Sequence, residues 1–191
     1  MSDIKKIVEE IKKRRKVITP CVVGISGFGG AGKSTLANQI KGELEDSVVI
    51  SVDNFAMDHL EKRGSDWDGF DWKRFEKEIF LPLSRGGQRL TYGTYNWDEN
   101  KSRGTEEVSA EVFILEGAGL FRKNFMKYFN YTVWIDCPQD IANARGLKRD
   151  TELYRVDHNR EWKEIWGPND QDYFAKHRPD TMADYTINGI F

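Results

Sequence analysis

Short apolar runs alternate along the chain with stretches of helical periodicity. The apolar runs are rich in β-branched and aromatic residues and hardly alternate with polar ones, which is typical of strands covered on both faces. They span residues 21–25, 48–52, 112–115, 131–135 and 185–188. The helical stretches span residues 33–44, 72–83, 121–129 and 138–149. This order predicts an α/β fold, a three-layer sandwich in which helices cover both faces of a parallel sheet of about five strands.

Residues 1–16 carry a pattern of their own. Ile4, Ile7, Val8 and Ile11 lie at helical spacing among lysines and glutamates, so we expect an N-terminal amphipathic helix. Its basic end, residues 12–16, would suit RNA or an anionic surface. Cations at this end also suit the C-terminal dipole of an ordinary solvated helix, and we favour this second interpretation. Residues 17–191 show no repeat and no linker, which predicts a single domain.

The regular alternation lapses between residues 55 and 110. This stretch holds His59, Trp67, Tyr92, Tyr95 and Trp97 among glycines and charges. Long irregular segments in compact domains are usually functional or disordered, and the aromatic content argues against disorder. We therefore interpret residues 55–110 as a small substrate-binding insertion.

Composition narrows the class of protein. A net charge of −2 and a pI of about 6.0 argue against a dedicated nucleic-acid binder. No apolar run reaches the roughly 20 residues of a membrane span and no secretory pattern opens the chain, so we expect a cytoplasmic protein without membrane contact. Cys21 and Cys137 lie in apolar runs and are expected to be buried, reduced thiols. The oligomeric state stays open, a homo-oligomer included.

A phosphate-binding loop is the strongest motif. Residues 27–34 match the Walker A pattern GxxxxGK[ST], with an apolar strand before it and a helical stretch after it. Glycines let the backbone aim N–H groups at phosphate oxygens, and the helix N-terminus adds a favourable dipole. Lys33 is expected to reach the β- and γ-phosphates of ATP and Ser34 to hold Mg²⁺. The predicted ATP-binding residues are Gly27, Phe28, Gly29, Gly30, Ala31, Gly32, Lys33, Ser34 and Thr35.

Two acids follow strand-like runs and are expected to face the phosphates. Asp53 comes after the run at 48–52 and Glu116 after the run at 112–115. Carboxyl ends of parallel strands border the ligand crevice, so either acid could support Mg²⁺ or accept a proton from an attacking hydroxyl. A GTPase is rejected, because no strand precedes the DxxG match at 66–69 and Arg103 stands where a guanine-reading NKxD motif needs Asp.

Basic residues in the region 145–163 could fold over the γ-phosphate or lie on a solvated helix. Arg145, Lys148 and Arg149 share one helical stretch, and Arg155, Arg160 and Lys163 follow. Cations over the γ-phosphate would neutralise the charge that develops during transfer. The residues alone leave these two interpretations open.

The ordered series of motifs resembles the uridine kinase-like family of P-loop kinases, which includes phosphoribulokinase and bacterial pantothenate kinase. After the phosphate loop, the similar segments are Asp53-Asn54-Phe55, Trp67-Asp68-Gly69-Phe70-Asp71, Tyr95-Asn96-Trp97 with Ser102-Arg103, Leu115-Glu116-Gly117 and Arg145 through Arg149-Asp150. The last of these is similar to the family's lid motif. The resemblance covers nearly the whole chain after the first helix.

The resemblance implies ATP-dependent transfer of a phosphoryl group to a primary hydroxyl, with a mobile lid closing over ATP. In that interpretation Asp53 is the catalytic base, Lys33, Arg145 and Arg149 stabilise the transferring group, and Ser34 with Glu116 supports Mg²⁺. The implied acceptor-binding residues are Asp53, Asp68, Tyr95, Trp97, Lys101, Arg149 and Arg155.

Departures from the family pattern concern the acceptor. Ala56 stands where uridine kinases carry Tyr, Lys101 replaces a base-reading His, and the lid's Arg-Gly-Arg is reduced to Arg155-Val156-Asp157. Lys donates but cannot accept a hydrogen bond, so Lys101 would meet a carbonyl or an anionic acceptor. Uridine or cytidine leads as the expected acceptor. The alternatives are pantothenate, nicotinamide riboside or a sugar, a non-catalytic ATP-binding regulator, and a nucleic-acid-associated ATPase that uses the basic helix.

Overall fold

A computed structural model describes residues 2–57, 64–97, 99 and 101–189, without the side chains of Ser102 and Arg103. His59 therefore lies outside the described residues, as do the side chains of the expected Ser102-Arg103 pair. The strands are β1 (Cys21–Gly27), β2 (Ser47–Ser51), β3 (Arg89–Asn96), β4 (Lys101–Ser109), β5 (Val112–Glu116), β6 (Tyr131–Asp136) and β7 (Tyr185–Asn188).

The α-helices are α1 (Asp3–Arg14), α2 (Lys33–Gly42), α3 (Trp72–Phe75), α4 (Leu81–Ser84), α5 (Gln139–Arg149), α6 (Asn159–Glu161) and α7 (Gly167–His177). Three π-helical segments extend or join them: Glu76–Phe80 between α3 and α4, Asp150–Tyr154 after α5, and Trp162–Trp166 between α6 and α7. Short 3₁₀ turns lie at Val52–Phe55, Met126–Tyr128 and Pro179–Thr181. No helix in the described part of the chain is both long and apolar enough to cross a membrane.

The central sheet is parallel and has the strand order β2-β5-β1-β6-β7. β1 and β5 are buried along their whole length, because helices cover both faces of the sheet. The predicted α/β fold with five parallel strands is confirmed, and all five predicted strands lie within one or two residues of their expected positions. The sheet places the carboxyl ends of β2, β5 and β1 side by side.

Helix α1 packs into the core. Ser2 caps its N-terminus by accepting a hydrogen bond from the Lys5 N–H at 3.4 Å. Ile7 and Ile11 are fully buried and join the cluster formed by α2 and one face of the sheet. The hydroxyl of Tyr185 in β7 donates to Asp3 at 2.8 Å. The amphipathic helix expected over residues 1–16 is therefore present, and its apolar face serves the same core as the rest of the chain.

The helix expected over residues 121–129 is absent. The segment forms one 3₁₀ turn, Met126–Tyr128, inside a connection between β5 and β6. Its aromatic residues lie at helical spacing because each packs separately into the core: Phe121 and Phe125 are buried, and Phe129 packs on Phe121 at 5.6 Å between ring centroids. Apolar spacing alone does not separate a helix from a loop that lies flat on a sheet.

The insertion contains an antiparallel hairpin, β3 and β4, whose register shifts between Thr94 and Tyr95. The family resemblance implies a hairpin at Tyr95-Asn96-Trp97 and Ser102-Arg103, and the periodicity of the chain does not indicate it. A long helical stretch, which was not expected from the sequence pattern, runs from α6 to α7. Its buried side chains recur every three or four residues, as Trp162, Ile165, Asn169, Tyr173 and His177. That periodicity was the available signal, and the surrounding charged residues obscured it.

Candidate functional site

The predicted site residues converge because of strand order. β5 lies between β2 and β1, so Glu116 at the end of β5 pairs with both Ser51 of β2 and Ile25 of β1. Asp53 follows β2 by two residues, and the phosphate loop follows β1. Neighbouring strands lie about 4.8 Å apart, so three chain segments distant in sequence meet at one edge of the sheet.

The phosphate loop has the backbone geometry that its glycines predict. Gly30 and Gly32 adopt left-handed conformations, with φ of 78° and 98°, and Gly32 caps the N-terminus of α2. A Cβ atom at Gly30 would collide with the carbonyl oxygen of Ala142 in α5. The Lys33 ammonium donates to the carbonyl oxygen of Phe28 at 2.8 Å, which holds the lysine across the mouth of the loop. The loop N–H groups and Lys33 therefore form one positive cradle.

Ser34 and Glu116 form a set of oxygen donors beside this cradle. The Ser34 hydroxyl donates to Glu116 Oε1 at 3.2 Å, and only 3% of Glu116 is exposed. Burial raises the pKa of Glu116, and neighbouring Asp53 raises it further, against Lys33 and the hydrogen bonds from Ser51 and Ser34. A hard cation such as Mg²⁺ binds one or two carboxylate or hydroxyl oxygens and completes its shell with water and phosphate. The donor set fits that ion.

Asp53 lies at the rim of the cradle and keeps contact with solvent. Ser51 fixes its backbone by accepting a hydrogen bond from the Asp53 N–H at 3.2 Å. Although Asp53 contacts solvent, the protein atoms around its carboxyl group displace part of its hydration, and this desolvation raises its pKa. The positive charges of Lys33 and Arg149 oppose the shift. A carboxylate with a raised pKa beside fixed cations has the properties of a general base.

The two predicted catalytic arginines take different positions. Arg149 acts on Asp53 through its charge, and it donates from Nε and one terminal nitrogen to Asp150 at 3.0 and 2.7 Å. Arg145, one turn earlier in α5, donates instead to the carbonyl oxygen of Gly189 at 2.5 Å. Arg155 is exposed and ends the π-helical segment with φ of 57°. The structure groups Arg149 with the loop and acids; the roles of Arg145 and Arg155 stay predictions.

Residues of the expected acceptor side lie on two separate segments. Tyr95 is buried and packs edge-on against half-exposed Trp97, with ring centroids 5.2 Å apart. At the hairpin tip, the Lys101 ammonium pairs with Glu99 at 3.0 Å. Asp68 is exposed, and one of its oxygens accepts from the Ser65 N–H at 3.1 Å. Their binding roles stay predictions.

A cleft of about 540 Å³ opens beside the phosphate loop. Phe28 of the loop forms one wall and contacts Phe174 of α7 at 5.4 Å between ring centroids. The remaining lining residues lie in β7 or at and after the end of β6: Asp136, Cys137, Pro138, Thr186 and Asn188. Apolar walls with a few polar groups at the carboxyl edge of a sheet are typical of a small-molecule site.

One buried acid at the loop carried no sequence motif. Asp170 of α7 is 1% exposed and accepts a hydrogen bond from the Gly29 N–H at 2.7 Å. It lies more than a hundred residues from the loop in sequence, in a helix that also contains Asp172. Only the packing of α7 against the sheet edge distinguishes it from Asp172.

Comparison with known proteins identifies relatives of this chain. No family model matches it. It is 31% identical over 147 residues to a uridine kinase of Pectobacterium carotovorum, covering 68% of each chain. It is 29% identical over 149 residues to a uridine kinase of Lactobacillus helveticus, covering 71% of this chain and 70% of the other. A uridine kinase of Borrelia duttonii is 29% identical over 139 residues, and the match spans 66% of that protein's length.

Two solved structures share the fold. A possible uridine kinase from Bacillus stearothermophilus superposes with a TM-score of 0.71 at 19% identity, covering 97% of this chain and all of the other. YFH7 from Saccharomyces cerevisiae, a candidate P-loop kinase with a circular permutation, gives a TM-score of 0.74 at 12% identity, covering 98% and 99% of the two chains. With a fold and a phosphate-loop site of this kind and a relative above 30% identity, the chain belongs to the uridine kinase-like family of P-loop kinases.

Proposed function

We propose that the protein transfers the γ-phosphoryl group of ATP to a primary hydroxyl of a small metabolite, with Mg²⁺ as cofactor and uridine or cytidine as the first acceptors to test. The observation that carries the proposal is the meeting of Lys33, Ser34, Asp53 and Glu116 at one edge of the sheet. Each of these residue types has a distinct task in phosphoryl transfer. The family relationship supports the same reaction class.

Asp53 is the proposed general base. Its carboxylate takes the proton of the acceptor hydroxyl as the oxygen forms a bond to the γ-phosphorus, and the bond from that phosphorus to the β–γ bridging oxygen breaks to release ADP. The raised pKa of Asp53 makes its carboxylate a better proton acceptor. Lys33 and Arg149 supply positive charge on the side where negative charge develops.

The phosphate loop positions the nucleotide. N–H groups of the loop and of the first turn of α2 would bind the phosphates. The cleft beside Phe28 has the size and the aromatic wall to hold a planar base. Ser34 and Glu116 would hold Mg²⁺. When bound, Mg²⁺ neutralises charge on the β- and γ-phosphates.

The acceptor is proposed to lie between the hairpin and Asp68. Tyr95 and Trp97 offer an aromatic corner, and Lys101 offers a cation whose partner Glu99 is 56% exposed. Exposed ion pairs contribute about 0–1 kcal/mol, so an acceptor carbonyl or carboxylate can displace Glu99 easily. This observation keeps pantothenate as a second candidate beside the nucleosides. Nicotinamide riboside and sugars complete the panel.

A coupled ADP-release assay with Mg-ATP tests the proposal. Uridine, cytidine, other nucleosides, pantothenate, nicotinamide riboside and sugars are compared for wild type and the Asp53→Asn variant. We expect saturable turnover with one acceptor and a loss of about 10²–10⁴-fold in kcat for the variant, with ATP affinity retained. ATP binding with no turnover on any acceptor would favour the non-catalytic regulator instead.

Two substitutions of Lys101 test the chemical identity of the acceptor. Lys101→His restores a ring that both donates and accepts, whereas Lys101→Gln removes only the charge. If the acceptor is a nucleoside, kcat/KM should rise in the His variant. If the acceptor is anionic, both variants should raise KM. An unchanged KM in both would remove Lys101 from the acceptor site.

A further inference from the structure

Asp170 joins the phosphate loop to the segment that contains Asp68. Its Oδ2 atom accepts from the Gly29 N–H at 2.7 Å, and its Oδ1 atom accepts from the Trp67 indole N–H at 2.9 Å. Both carboxylate oxygens are therefore engaged, one by each segment. With 1% of its surface exposed, Asp170 is a buried anion between the two sides of the proposed active site.

This arrangement is energetically demanding. Burial raises the pKa of Asp170 to about 6, against the favourable charge of Lys33 and the hydrogen bonds from Gly29 and Trp67. A buried carboxylate destabilises the folded state unless its partners compensate. Because Asn would fill the same space without a charge, packing alone does not require an acid at this position.

The segment held by Asp170 is itself strained. Asp66 and Trp67 both have φ of 54°, in the left-handed region that side chains such as tryptophan rarely occupy. Consecutive residues in this region destabilise the folded chain and persist only where the surroundings hold them. Strain of this kind clusters at sites whose geometry serves a function.

Helix α7 shares the work of holding the strained segment with Arg122, which pairs with the Asp66 carboxylate at 3.0 Å. Asn169 accepts from the Trp67 backbone N–H at 2.9 Å, next to the Asp170 contact. Two turns further along α7, Lys176 and His177 bind the Asp66 carboxylate at 2.7 and 3.1 Å. Helix α7 therefore binds the segment at Trp67 and at Asp66, and its Asp170 also binds the phosphate loop.

We propose that Asp170 is a positioning residue that couples occupancy of the γ-phosphate end of the loop to the acceptor segment, residues 64–71. A γ-phosphate at the Lys33 end competes with the Asp170 carboxylate for the Gly29 N–H and repels its charge. The Trp67 bond then weakens, and the strained segment is released toward the acceptor. ADP lacks the group that competes and leaves the contact in place.

The proposal rests on the proposed function, and hydrogen exchange tests it without an acceptor. Backbone exchange of residues 64–71 is measured with Mg-ADP and with the non-hydrolysable analogue Mg-AMP-PNP, while calorimetry records the binding of both. In wild type we expect the analogue to speed exchange in this segment by about fivefold or more relative to ADP. Equal exchange with both bound nucleotides would overturn the coupling alone. Failure to bind either nucleotide would overturn the proposed function and this inference with it.

Three variants separate coupling from structural support. In Asp170→Asn, one carboxylate oxygen is replaced by an NH₂ group. This NH₂ group is itself a donor, and it faces either the Gly29 N–H or the Trp67 indole N–H without an acceptor between them. Trp67→Phe removes the indole donor and keeps the ring. In the double variant the amide oxygen can serve Gly29 and its NH₂ group meets no donor, so thermal stability should recover relative to Asp170→Asn alone.

The coupling should be lost in all three variants, including the stable double variant. A purely structural Asp170 would predict that the exchange difference returns together with stability in the double variant, and that result would overturn the proposal. Asp172→Asn, the same substitution two residues along α7, serves as the matched control and should keep the wild-type difference. In turnover assays, Trp67→Phe should raise the acceptor KM more than it lowers kcat; the reverse pattern would count against the proposal.

Discussion

The Ser34 hydroxyl donates a hydrogen bond to Glu116 Oε1 at 3.2 Å, which ties the first turn of α2 to the end of β5. The two residues are 82 positions apart in sequence and meet because β1 and β5 are adjacent in the sheet. Glu116 is nearly fully buried, so its carboxylate faces the phosphate loop and not bulk solvent. This pair defines the proposed Mg²⁺ position.

Glu116→Gln should raise the Mg²⁺ concentration needed for turnover. The amide keeps the Ser34 contact but lacks the negative charge that attracts the ion, so we expect an apparent affinity roughly 10–100-fold weaker. The apparent Mg²⁺ affinity is measured by titrating Mg²⁺ in the ADP-release assay and in AMP-PNP binding. Glu111→Gln, just before the opposite end of β5, is the control and should behave as wild type. The same Mg²⁺ dependence in both variants would remove Glu116 from the site.

Arg149 and Arg145 can be compared directly by substitution with Met. Arg149→Met removes the cation that acts on Asp53, so kcat should fall by about 10-fold or more. It also removes two hydrogen bonds to buried Asp150, so thermal unfolding is measured alongside kcat. The Arg145 guanidinium donates to the carbonyl oxygen of Gly189, just after β7, so Arg145→Met should chiefly lower thermal stability. A large kcat loss in Arg145→Met at unchanged stability would instead place Arg145 over the phosphates.

Gly146→Ala should destabilise the packing of α5 against Trp162, whereas Gly42→Ala should be tolerated. A Cβ atom at Gly146 would collide with the indole ring of Trp162, which also packs on Gly29 of the phosphate loop. We expect a loss of about 1–3 kcal/mol and weaker ADP binding. Gly42, also helical, has no atom within 4 Å of its Cβ position, so alanine should add up to about 1 kcal/mol of stability. Urea unfolding measures both, and equal effects would contradict the proposed packing.

His177 should make the folded protein less stable in mild acid. Its Nε2 lies 3.1 Å from Asp66 and its Nδ1 accepts from the Lys123 N–H at 3.3 Å, which only a neutral ring with a proton on Nε2 can satisfy. Burial lowers the pKa of His177, although Asp66 opposes the shift. The unfolded chain therefore binds the proton first, and unfolding free energy falls as pH drops below about 6.5, by at most about 1.4 kcal/mol per pH unit.

Urea unfolding of wild type and His177→Gln at pH 7.5 and 5.5 tests this dependence. The Gln variant should lose less stability over this interval. The pKa of Asp66 is lowered, so its contribution is lost only in stronger acid, below the pKa of an unfolded Asp. Asp170, with its pKa raised to about 6, takes up a proton earlier in the folded state and gains stability as pH falls, equally in both proteins. An equal loss of unfolding free energy between pH 7.5 and 5.5 in the two proteins would show that His177 does not titrate as proposed.

Removing residues 1–16 should unfold the protein, which makes truncation unsuitable as a test for RNA binding. Ile7, Val8 and Ile11 are buried, and truncating each such residue to alanine costs about 2–5 kcal/mol. Exposed Lys12 and Lys16 can be replaced by Gln with an expected change under about 0.5 kcal/mol. If the double Gln variant abolished salt-sensitive RNA binding seen in wild type, the nucleic-acid-associated ATPase would gain support. Thermal unfolding and RNA-binding titrations distinguish these outcomes.

Much of the site was predictable from local sequence. The Walker A residues, Asp53 and Glu116 all follow apolar strands, and in a parallel sheet the ends of such strands share one edge. The family resemblance implies two catalytic arginines. In the structure Arg145 donates to the carbonyl oxygen of Gly189, and Arg149 acts on Asp53 through its charge, so their catalytic roles stay predictions. Helical spacing identifies a shared stretch of helix; the direction of each guanidinium depends on what packs beside it.

The sequence by itself determined the strands, the phosphate loop and the class of chemistry, because apolar runs and glycine-rich turns act through neighbouring residues. Tertiary structure alone decided that β5 separates β2 from β1, that the aromatic segment 121–129 lies flat instead of forming a helix, and that Asp170 reaches Gly29. These features depend on contacts between residues far apart in the chain. Their free energies come from burial and from hydrogen bonds between separate segments, which no local pattern records.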